Sequence, residues 1–172
     1  LKVCDEHNVD LVFLPEQKQM YPSQSLTWVE VEILTEPLCG RFRPGHFRGV
    51  TTVCNKLFNI VLPDVAYFGQ KDYQQIVVIG KMVKELNFGI DIVVCPTLRE
   101  DDGLAMSSRN RYLDSQTRAR ALILIKALRF GEDLILSGGA DDADLVRKEI
   151  DRLIRSEPLA VPEYVEIVDP HS

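Results

Sequence analysis

The sequence predicts an α/β protein in which a doubly wound parallel sheet is followed by a smaller α+β domain. Segments typical of strands alternate with helical segments up to Pro96, and the pattern changes to two long helices after Tyr112. Because such an alternation needs crossover connections, it favours a parallel sheet with helices on its faces. We therefore predict two domains, residues 1–96 and residues 97–172.

Four segments of the first domain have the pattern of strands. Val9–Leu14 is an apolar run closed by Pro15, which is typical of a buried strand in a parallel sheet. Trp28–Ile33 alternates apolar and polar residues with a period of two, as a half-exposed strand does. Val65–Phe68 is a short apolar run, and Ile90–Cys95 predicts another buried strand.

Two segments of the first domain have apolar residues at helical spacing. The first carries Val50, Val53, Cys54, Leu57 and Val61, and the second carries Ile76, Ile79, Met82, Val83 and Leu86. Together with the strands from Trp28 onwards, they predict the order strand, helix, strand, helix, strand that a parallel sheet requires.

Two helices and one strand are predicted for the second domain. Asp114 or Ser115 can cap a long helix that runs to about Leu136. Asp141 can cap a second helix, and Tyr164–Val168 alternates like a strand. We expect this domain to break off before its sheet is complete.

Composition and charge exclude several classes of protein. No apolar run approaches the roughly 20 residues of a membrane span, and the hydrophobic share of 45% is that of a folded globular protein. The net charge of −6 argues against general nucleic-acid binding. Residues 38–111 nevertheless hold ten Lys and Arg against seven Asp and Glu, a net of +3. This local excess suits a small anionic ligand such as a nucleotide, or it is a chance distribution of solvated charges.

The cysteines predict a cytoplasmic protein without a metal site of its own. Cys4, Cys39, Cys54 and Cys95 are widely spaced, with no Cys-x-x-Cys pair and only three histidines in the chain. Reduced, buried thiols are the expected state. The chain starts at Leu1 without an initiator Met or an export signal, so we expect a piece of a longer polypeptide.

The segment Phe68–Gln75 is the first candidate site, because it lies where a predicted strand passes into a helix. Helix N-termini at the carboxyl ends of parallel strands offer free N–H groups and partial positive charge to phosphates. Gly69 allows close approach of a ligand, Lys71 supplies a mobile charge, and Asp72 can accept hydrogen bonds from ribose hydroxyls. Gln75 faces the same opening. The alternative is an ordinary turn in which Asp72 is only a helix cap.

The segment Arg99–Asn110 is the second candidate, again directly after a predicted strand. Ser107 and Ser108 followed by Arg109 could wrap a polyphosphate, because guanidinium pairs bidentately with phosphate oxygens. Gly103 could act as a hinge for closure of this loop. A polar connection between domains is the alternative.

The segment Arg41–Val50 is the third candidate, with three arginines and one histidine within eight residues. It could bind a phosphate or a carboxylate. Arginines interleaved with Phe are equally common at subunit interfaces, and we slightly favour the interface.

Four motifs of the sequence resemble the pantothenate synthetase family, also called pantoate-beta-alanine ligases, and they occur in the order in which the family has them. The resemblance runs from about Val9 to Val168, and the motifs are Arg43–Val50, Lys56–Val61, Phe68–Gln75 and Asp102–Asn110. Four long matches in the right order are highly specific. The resemblance implies a Rossmann-like sheet of the nucleotidyltransferase superfamily, related to class I aminoacyl-tRNA synthetases.

The resemblance also implies an ATP-dependent ligase reaction that needs Mg²⁺. Pantoate attacks the α-phosphate of ATP to give pantoyl adenylate and pyrophosphate, and the amine of β-alanine then displaces AMP to give pantothenate. The partners implied are these small molecules and a second copy of the chain, with Arg41–Val50 as our candidate contact of a homodimer.

The residue roles carried over from the family fall mainly on the two motifs that follow a predicted strand, Phe68–Gln75 and Asp102–Asn110. Lys71 would neutralise charge on the transferred phosphate, and the β- and γ-phosphates would be bound by Ser107, Ser108 and Arg109. These four are the implied catalytic residues. ATP would also contact Gly69, Gln70, Asp72, Leu98 and Met106, of which Gly69 and Asp72 hold the ribose while Leu98 and Met106 line the adenine pocket. Pantoate would bind Gln75, with Val50 and Val53 walling the same pocket.

The sequence departs from the family pattern in four ways. The His-x-Gly-His segment of the family and a second pantoate-binding Gln are absent, and Gln70 stands where the family commonly has Glu. The chain also stops before the family's last strands. We therefore expect this chain alone to be inactive and to have an exposed sheet edge that promotes self-association.

Two other functions remain open on the sequence. A non-catalytic nucleotide-binding or dimerisation module would keep the loops without the chemistry. A related nucleotidyltransferase would act on another acid or alcohol.

Overall fold

A parallel β-α-β unit occupies the middle of the chain in the computed structural model, which describes residues 1–22, 24–138 and 142–169. Strand β1 (Val65–Gly69) pairs in parallel with strand β2 (Asp91–Cys95), and the register runs from Val65 opposite Asp91 to Gly69 opposite Cys95. Three short helices, α1 (Lys2–Glu6), α2 (Gln17–Met20) and α3 (Cys39–Phe42), precede α4 (His46–Val61), and α5 (Tyr73–Glu85) connects the two strands. The prediction of these strands and of α4 and α5 is confirmed.

The main core lies between α4, α5 and one face of the two strands. Helix α5 buries Ile76, Val78, Ile79, Met82 and Val83, and α4 adds Phe47 and Phe58. The apolar spacing of α5 produces this face, because residues three and four apart lie on the same side of a helix. The core therefore fixes the position of the helix that follows β1.

The segment Val9–Leu14 forms no strand, so that prediction is wrong. Its apolar side chains are exposed, with Leu11 77% and Leu14 80% accessible. An apolar run becomes a strand only when a neighbouring strand pairs with its backbone groups, and in the described ranges nothing pairs with this one.

The segment Trp28–Ile33 also forms no strand, although its alternation is real. Val31 is buried and Val29 is half-buried on the core side, while Trp28 faces solvent. Two threonine hydroxyls of α4 take the place of a partner strand: Thr52 Oγ1 accepts from Val29 N at 3.0 Å, and Thr51 Oγ1 donates to Val29 O at 2.5 Å. Period-two burial here reflects packing on a helix.

Strand β2 is less buried than predicted. Ile92 packs against the core, and Val93, which points to the opposite face of the sheet, is exposed. Val94 lies on the same face as Ile92 and is nevertheless exposed. Each strand pairs on one side only within the described residues. The prediction of self-association through an open edge stays a prediction.

The predicted long helix after Tyr112 is divided into α6 (Ser115–Ala121) and α7 (Ile123–Leu136), followed by α8 (Ala143–Arg155). Asp114 caps α6 as predicted, accepting from Thr117 N at 2.7 Å. This bond lowers the pKa of the Asp114 carboxyl below its usual value. The predicted cap Asp141 lies outside the described residues, and Asp142 caps α8, accepting from Asp144 N.

Helices α7 and α8 pack on each other around a second, smaller core of Ala127, Val146, Ile150 and Ile154. The predicted strand Tyr164–Val168 is wrong, because this segment has no strand partner in the described residues. The ring of Tyr164 instead stacks on Phe42 with centroids 5.7 Å apart, which brings the end of the chain against α3.

The four cysteines are free thiols and half-buried, so the prediction that they are buried is only partly right. Burial raises the pKa of the Cys54 thiol, which packs at the edge of the main core.

Over the described ranges, none of the helices could cross a membrane.

Replacing Gly80 with Ala is expected to stabilise the protein. Gly80 lies inside α5, no heavy atom lies within 4 Å of where a Cβ would stand, and Ala is favoured over Gly in a helix by about 1 kcal/mol. The measurement is the midpoint of urea unfolding, which should rise. Gly40→Ala should lower it, because its Cβ would overlap the backbone oxygen of Thr35. An unchanged or lower midpoint for Gly80→Ala would contradict the helix geometry.

Candidate functional site

A cleft of about 610 Å³ opens beside the carboxyl end of β1, a size that suits a small-molecule ligand. Its walls come from four separate stretches, residues 38–47, 71–75, 107–109 and 163–168. The two motifs that follow a strand, Phe68–Gln75 and Asp102–Asn110, thus both contribute residues to one cleft. Lys71 and Ser108, which are far apart in the sequence, line the same space.

Positive and negative groups share this cleft. The cations Arg43, Lys71 and Arg109 line it together with His46 and with the carboxylates Asp72, Glu163 and Glu166. The cationic groups come from three different stretches of the chain, so only the folded protein assembles them. Such a set can hold an anion and orient a second polar ligand beside it.

Lys71 and Asp72 lie in a short 3₁₀ turn, Gln70–Asp72, that joins β1 to α5. Lys71 Nζ donates to Asp72 Oδ1 at 3.0 Å, and both side chains are exposed. Asp72 holds the N-cap position of α5, yet its side chain makes no capping hydrogen bond in the described structure. An exposed ion pair of this kind contributes little stability. The Lys71 ammonium can therefore leave Asp72 for a ligand at small cost.

Ser107, Ser108 and Arg109 lie at the start of a second 3₁₀ turn, Ser108–Tyr112. Ser107 Oγ accepts from Arg109 N at 3.2 Å, which closes the turn. Ser108 and Arg109 are exposed and line the cleft, and no hydrogen bond occupies their side chains within the described residues. They are available to a ligand.

A small hairpin supports this turn. Arg99 and Ala105 form an antiparallel bridge, and Met106 N donates to Leu98 O at 2.9 Å. Gly103 makes the tip with a φ of +92°, a conformation that glycine adopts without strain. The structure thus places Gly103 in a tight turn, and its role as a hinge stays a prediction.

Two polar side chains fasten the hairpin to its surroundings. Asn110 Nδ2 donates to Glu100 Oε1 at 3.1 Å and to Ala105 O at 3.0 Å. Arg118 of α6 pairs with Asp102 at 2.7 Å and with Glu100 at 3.5 Å. These bonds hold the Ser107–Arg109 turn in its position beside Lys71.

Replacing Asn110 with Ala is expected to loosen the turn. Two hydrogen bonds are lost, and at about 1 kcal/mol each they should speed local hydrogen exchange of residues 105–110 roughly tenfold or more. Mass-spectrometric hydrogen exchange measures this. Asn59→Ala is the matched control, because Asn59 is exposed on α4 and bonds only to Asn55 in the described structure. Equal exchange rates in the two variants would show that Asn110 does not hold the turn.

The other residues predicted for ATP lie around the cleft rather than in its wall. Gly69 ends β1 with open space around its α-carbon, and Gln70 lines an adjacent depression that shares Lys71 with the cleft. Leu98 and Met106 are exposed on the hairpin and are not part of the cleft lining. Their role in an adenine pocket stays a proposal.

The residues predicted for pantoate divide in the same way. Gln75 lines the cleft and is half-buried, and no hydrogen bond occupies its side chain in the described ranges. Val50 packs on the main core and Val53 is half-buried on α4, and neither belongs to the cleft lining.

Sequence reasoning missed several residues of the cleft. It favoured a subunit interface for Arg41–Val50, but Arg43 and His46 line the cleft. One signal could have placed them there, because Arg43 and His46 flank Gly45, the N-cap of α4, and the free N–H groups of a helix N-terminus attract anions. Glu163 and Glu166 have no comparable signal, since they reach the cleft only through the packing of the chain end. Desolvation raises the pKa of Tyr164 between them.

The fold and the cleft define an α/β protein whose cationic site lies at the carboxyl end of a parallel strand, where such proteins bind phosphorylated ligands. The family model of pantoate-beta-alanine ligases matches residues 1–172. The chain therefore belongs to the pantoate-beta-alanine ligase family.

Relatives of known sequence agree with this family. The chain is 53% identical over 170 residues to the pantothenate synthetase of Thermoanaerobacter sp. strain X514, which covers 99% of the chain and 60% of the relative. It is 55% identical over 169 residues to that of Acetivibrio thermocellus, covering 98% of the chain and 60% of the relative. The chain thus spans about 60% of the length of these relatives.

Two crystal structures extend the comparison to the fold. The pantothenate synthetase of Thermus thermophilus superimposes with a TM-score of 0.93 at 42% identity, over 98% of this chain and 61% of that one. The pantoate-beta-alanine ligase of Francisella tularensis, complexed with beta-gamma ATP and beta-alanine, gives a TM-score of 0.73 at 34% identity, over 89% of this chain and 56% of that one. The α/β class with a parallel sheet, as predicted from the sequence, is confirmed.

Proposed function

We propose that this cleft takes part in the ATP-dependent condensation of pantoate with β-alanine, through pantoyl adenylate, to give pantothenate, AMP and pyrophosphate. The observation that carries the proposal is the meeting of Lys71 with Ser107–Arg109 in one cleft of a chain of this family. The Francisella tularensis relative, complexed with beta-gamma ATP and beta-alanine, supports the choice of ligands.

The chemistry needs positive charge and alignment more than a protein nucleophile, because the pantoate carboxylate itself attacks the α-phosphate. The Lys71 side chain is exposed and can leave Asp72, so its ammonium can neutralise the charge that develops on the transferred phosphate. The Ser108 hydroxyl and the Arg109 guanidinium then hold the β- and γ-phosphates, with Ser107 shaping their turn. We propose these four as the catalytic residues.

The remaining contacts follow the placement of the residues around the cleft. Asp72 and Gly69 would hold the ribose beside β1, with Gln70 next to them, and Leu98 and Met106 would face the adenine from the hairpin. Gln75 would bind pantoate from the first turn of α5.

Mg²⁺ fits this site as a companion of the nucleotide. It is commonly held by one or two carboxylates together with substrate phosphates, and Glu163 and Glu166 place carboxylates in the cleft wall besides Asp72, which is assigned to the ribose. Within the described ranges, no group of three or more His, Cys, Asp and Glu side chains could hold a metal by itself. When bound, Mg²⁺ neutralises phosphate charge, while the protein residues orient the reacting groups.

We further propose a division at residues 96 and 97 into a nucleotide and pantoate domain and a smaller lid domain. The two separate cores, one around α5 and one between α7 and α8, support this division.

We propose a homodimer that uses the outer part of Arg41–Val50, where Arg48 lies over exposed Trp28. Four free cysteines support a reducing, cytoplasmic location.

Binding to a stable acyl-sulfamate mimic of pantoyl adenylate tests the proposed function on this chain. We expect calorimetry to give a tighter complex with the mimic than with ATP, because the mimic fills the nucleotide and pantoate positions together. Arg109→Ala should weaken the ATP complex more than the mimic complex, because the mimic lacks the β- and γ-phosphates that Arg109 would hold. Equal affinity for ATP and the mimic would indicate a nucleotide-binding module without the pantoate site.

Pantoate-dependent ATP–pyrophosphate exchange tests the chemistry itself. We expect exchange from a family-length polypeptide that contains these residues and none from the 172-residue chain alone. Nucleotide binding without exchange in the longer polypeptide would contradict the proposed function. Exchange with another acid in place of pantoate would assign a different nucleotidyltransferase.

A further inference from the structure

Gln74 links the first turn of α5 to a distant segment of the chain, residues 34–39, which we call the wall turn. Its Oε1 accepts from Cys39 N at 3.0 Å, and its Nε2 donates to Leu34 O at 3.0 Å and to Pro37 O at 2.8 Å. The two hydrogens of Nε2 are thus both used, and Oε1 has a partner. Gln74 has little hydrogen-bonding capacity left for a ligand.

The wall turn is tightly folded and needs such support. Leu38 has a φ of +53° and a ψ of −124°, a combination that a residue with a β-carbon rarely adopts. Gly40, directly after the turn, approaches Thr35 so closely that a Cβ would overlap the Thr35 oxygen. Gln74 accepts from the N–H of Cys39, which directly follows the unusual Leu38 conformation.

The wall turn forms part of the cleft. Leu38 and Cys39 line it on the side of α5, together with Gln74 and Gln75. Gln75 faces the cleft with an amide that no described residue binds, while its neighbour Gln74 binds the wall beside it. The two adjacent glutamines of the motif Phe68–Gln75 thus have different environments.

We propose that Gln74 is a positioning residue, whose amide holds the wall turn as the side of the cleft that meets the pantoyl group bound by Gln75. This inference rests on the proposed function for the identity of that group. The clamp itself rests on the three hydrogen bonds and on the unusual backbone of Leu38.

Two variants separate the clamp from the rest of the fold. Gln74→Met keeps the length of the side chain and removes all three bonds. Gln74→Glu keeps the acceptor for Cys39 N but places a carboxylate against the Leu34 and Pro37 oxygens. Gln116→Met is the matched control, because Gln116 is exposed on α6 away from the cleft lining.

Hydrogen exchange at the Cys39 amide and binding of the pantoyl adenylate mimic are measured on the whole 172-residue chain. For Gln74→Met we expect exchange about tenfold faster, and a dissociation constant for the mimic about five- to tenfold higher, with ATP affinity changed less than about twofold. Gln74→Glu should lie between wild type and Gln74→Met, and Gln116→Met should match wild type. Unchanged protection of the α5 amides shows that the variants are folded.

Each contrary outcome counts against a separate step. Unchanged exchange at Cys39 would overturn the clamp, and faster exchange with unchanged affinity for the mimic would overturn the positioning role. An equal loss of ATP and mimic affinity would also overturn it, because it would show a general structural effect. Failure of the wild-type chain to prefer the mimic over ATP would count against the proposed function, whereas the Cys39 exchange rate would still decide the clamp.

Discussion

Replacement of Lys71 by Ala is expected to lower the rate of adenylate formation by about a hundredfold or more, the effect of removing one preorganised charge contact from a transition state. Such a loss corresponds to about 2.7 kcal/mol of barrier. Lys71 lies in the cleft at the end of β1, and its ammonium is free to leave exposed Asp72 for a phosphate. Because that ion pair is exposed, its removal should leave the fold intact.

Single-turnover adenylation, with ATP, pantoate and rapid quenching, measures this effect. The assay uses a family-length polypeptide that contains these residues. Lys81→Ala is the matched control, because Lys81 is on α5 and pairs with Glu85 on the helix surface, outside the cleft lining. We expect the control to retain the wild-type rate. A near-wild-type rate for Lys71→Ala would remove Lys71 from the mechanism.

Replacement of Ile79 by Ala is expected to cost about 2–5 kcal/mol of unfolding free energy, as large-to-small changes in a packed core do. Ile79 is completely buried in α5, among Val78, Met82 and Val83, in the core that holds the helix against the sheet. The deletion leaves a cavity between α4, α5 and the strands. The loss should therefore weaken the element that carries Lys71 and Gln75 to the cleft.

Urea unfolding followed by circular dichroism measures this change, with Ile60→Ala as the control. Ile60 belongs to α4 and is 53% exposed, so the same substitution there should change stability by no more than about 0.5 kcal/mol. Similar losses for Ile79→Ala and Ile60→Ala would contradict the placement of the core.

The middle of the chain was predictable because its pattern is local. The apolar spacing of α5 and the short runs of β1 and β2 determine a β-α-β unit, since these residues bury one another within about thirty positions of sequence. Val9–Leu14 and Tyr164–Val168 have equally clear patterns, yet neither forms a strand. A strand depends on a partner backbone, and a pattern within one segment carries no information about that partner.

The site was predictable to the same extent. The rule that ligands bind at the carboxyl ends of parallel strands brought the Lys71 turn and the Ser107–Arg109 turn to one place, and the cleft contains both. Gln74 marks the limit of such a prediction. Its neighbour Gln75 has the same side chain on the same helix, but only Gln74 points to residues 34–39, which take up its amide hydrogen bonds.

By itself, the sequence determined the membership of the pantoate-beta-alanine ligase family, the central β-α-β unit and the two turns that meet at its end. Only the tertiary structure decided that Arg43 and His46 face the cleft, that threonine hydroxyls of α4 bind the backbone of Val29, and that Gln74 holds the opposite wall. The physical reason is range. Helix and strand patterns record how a segment meets its near neighbours, whereas a hydrogen bond between residues 35 positions apart exists only after the chain has folded.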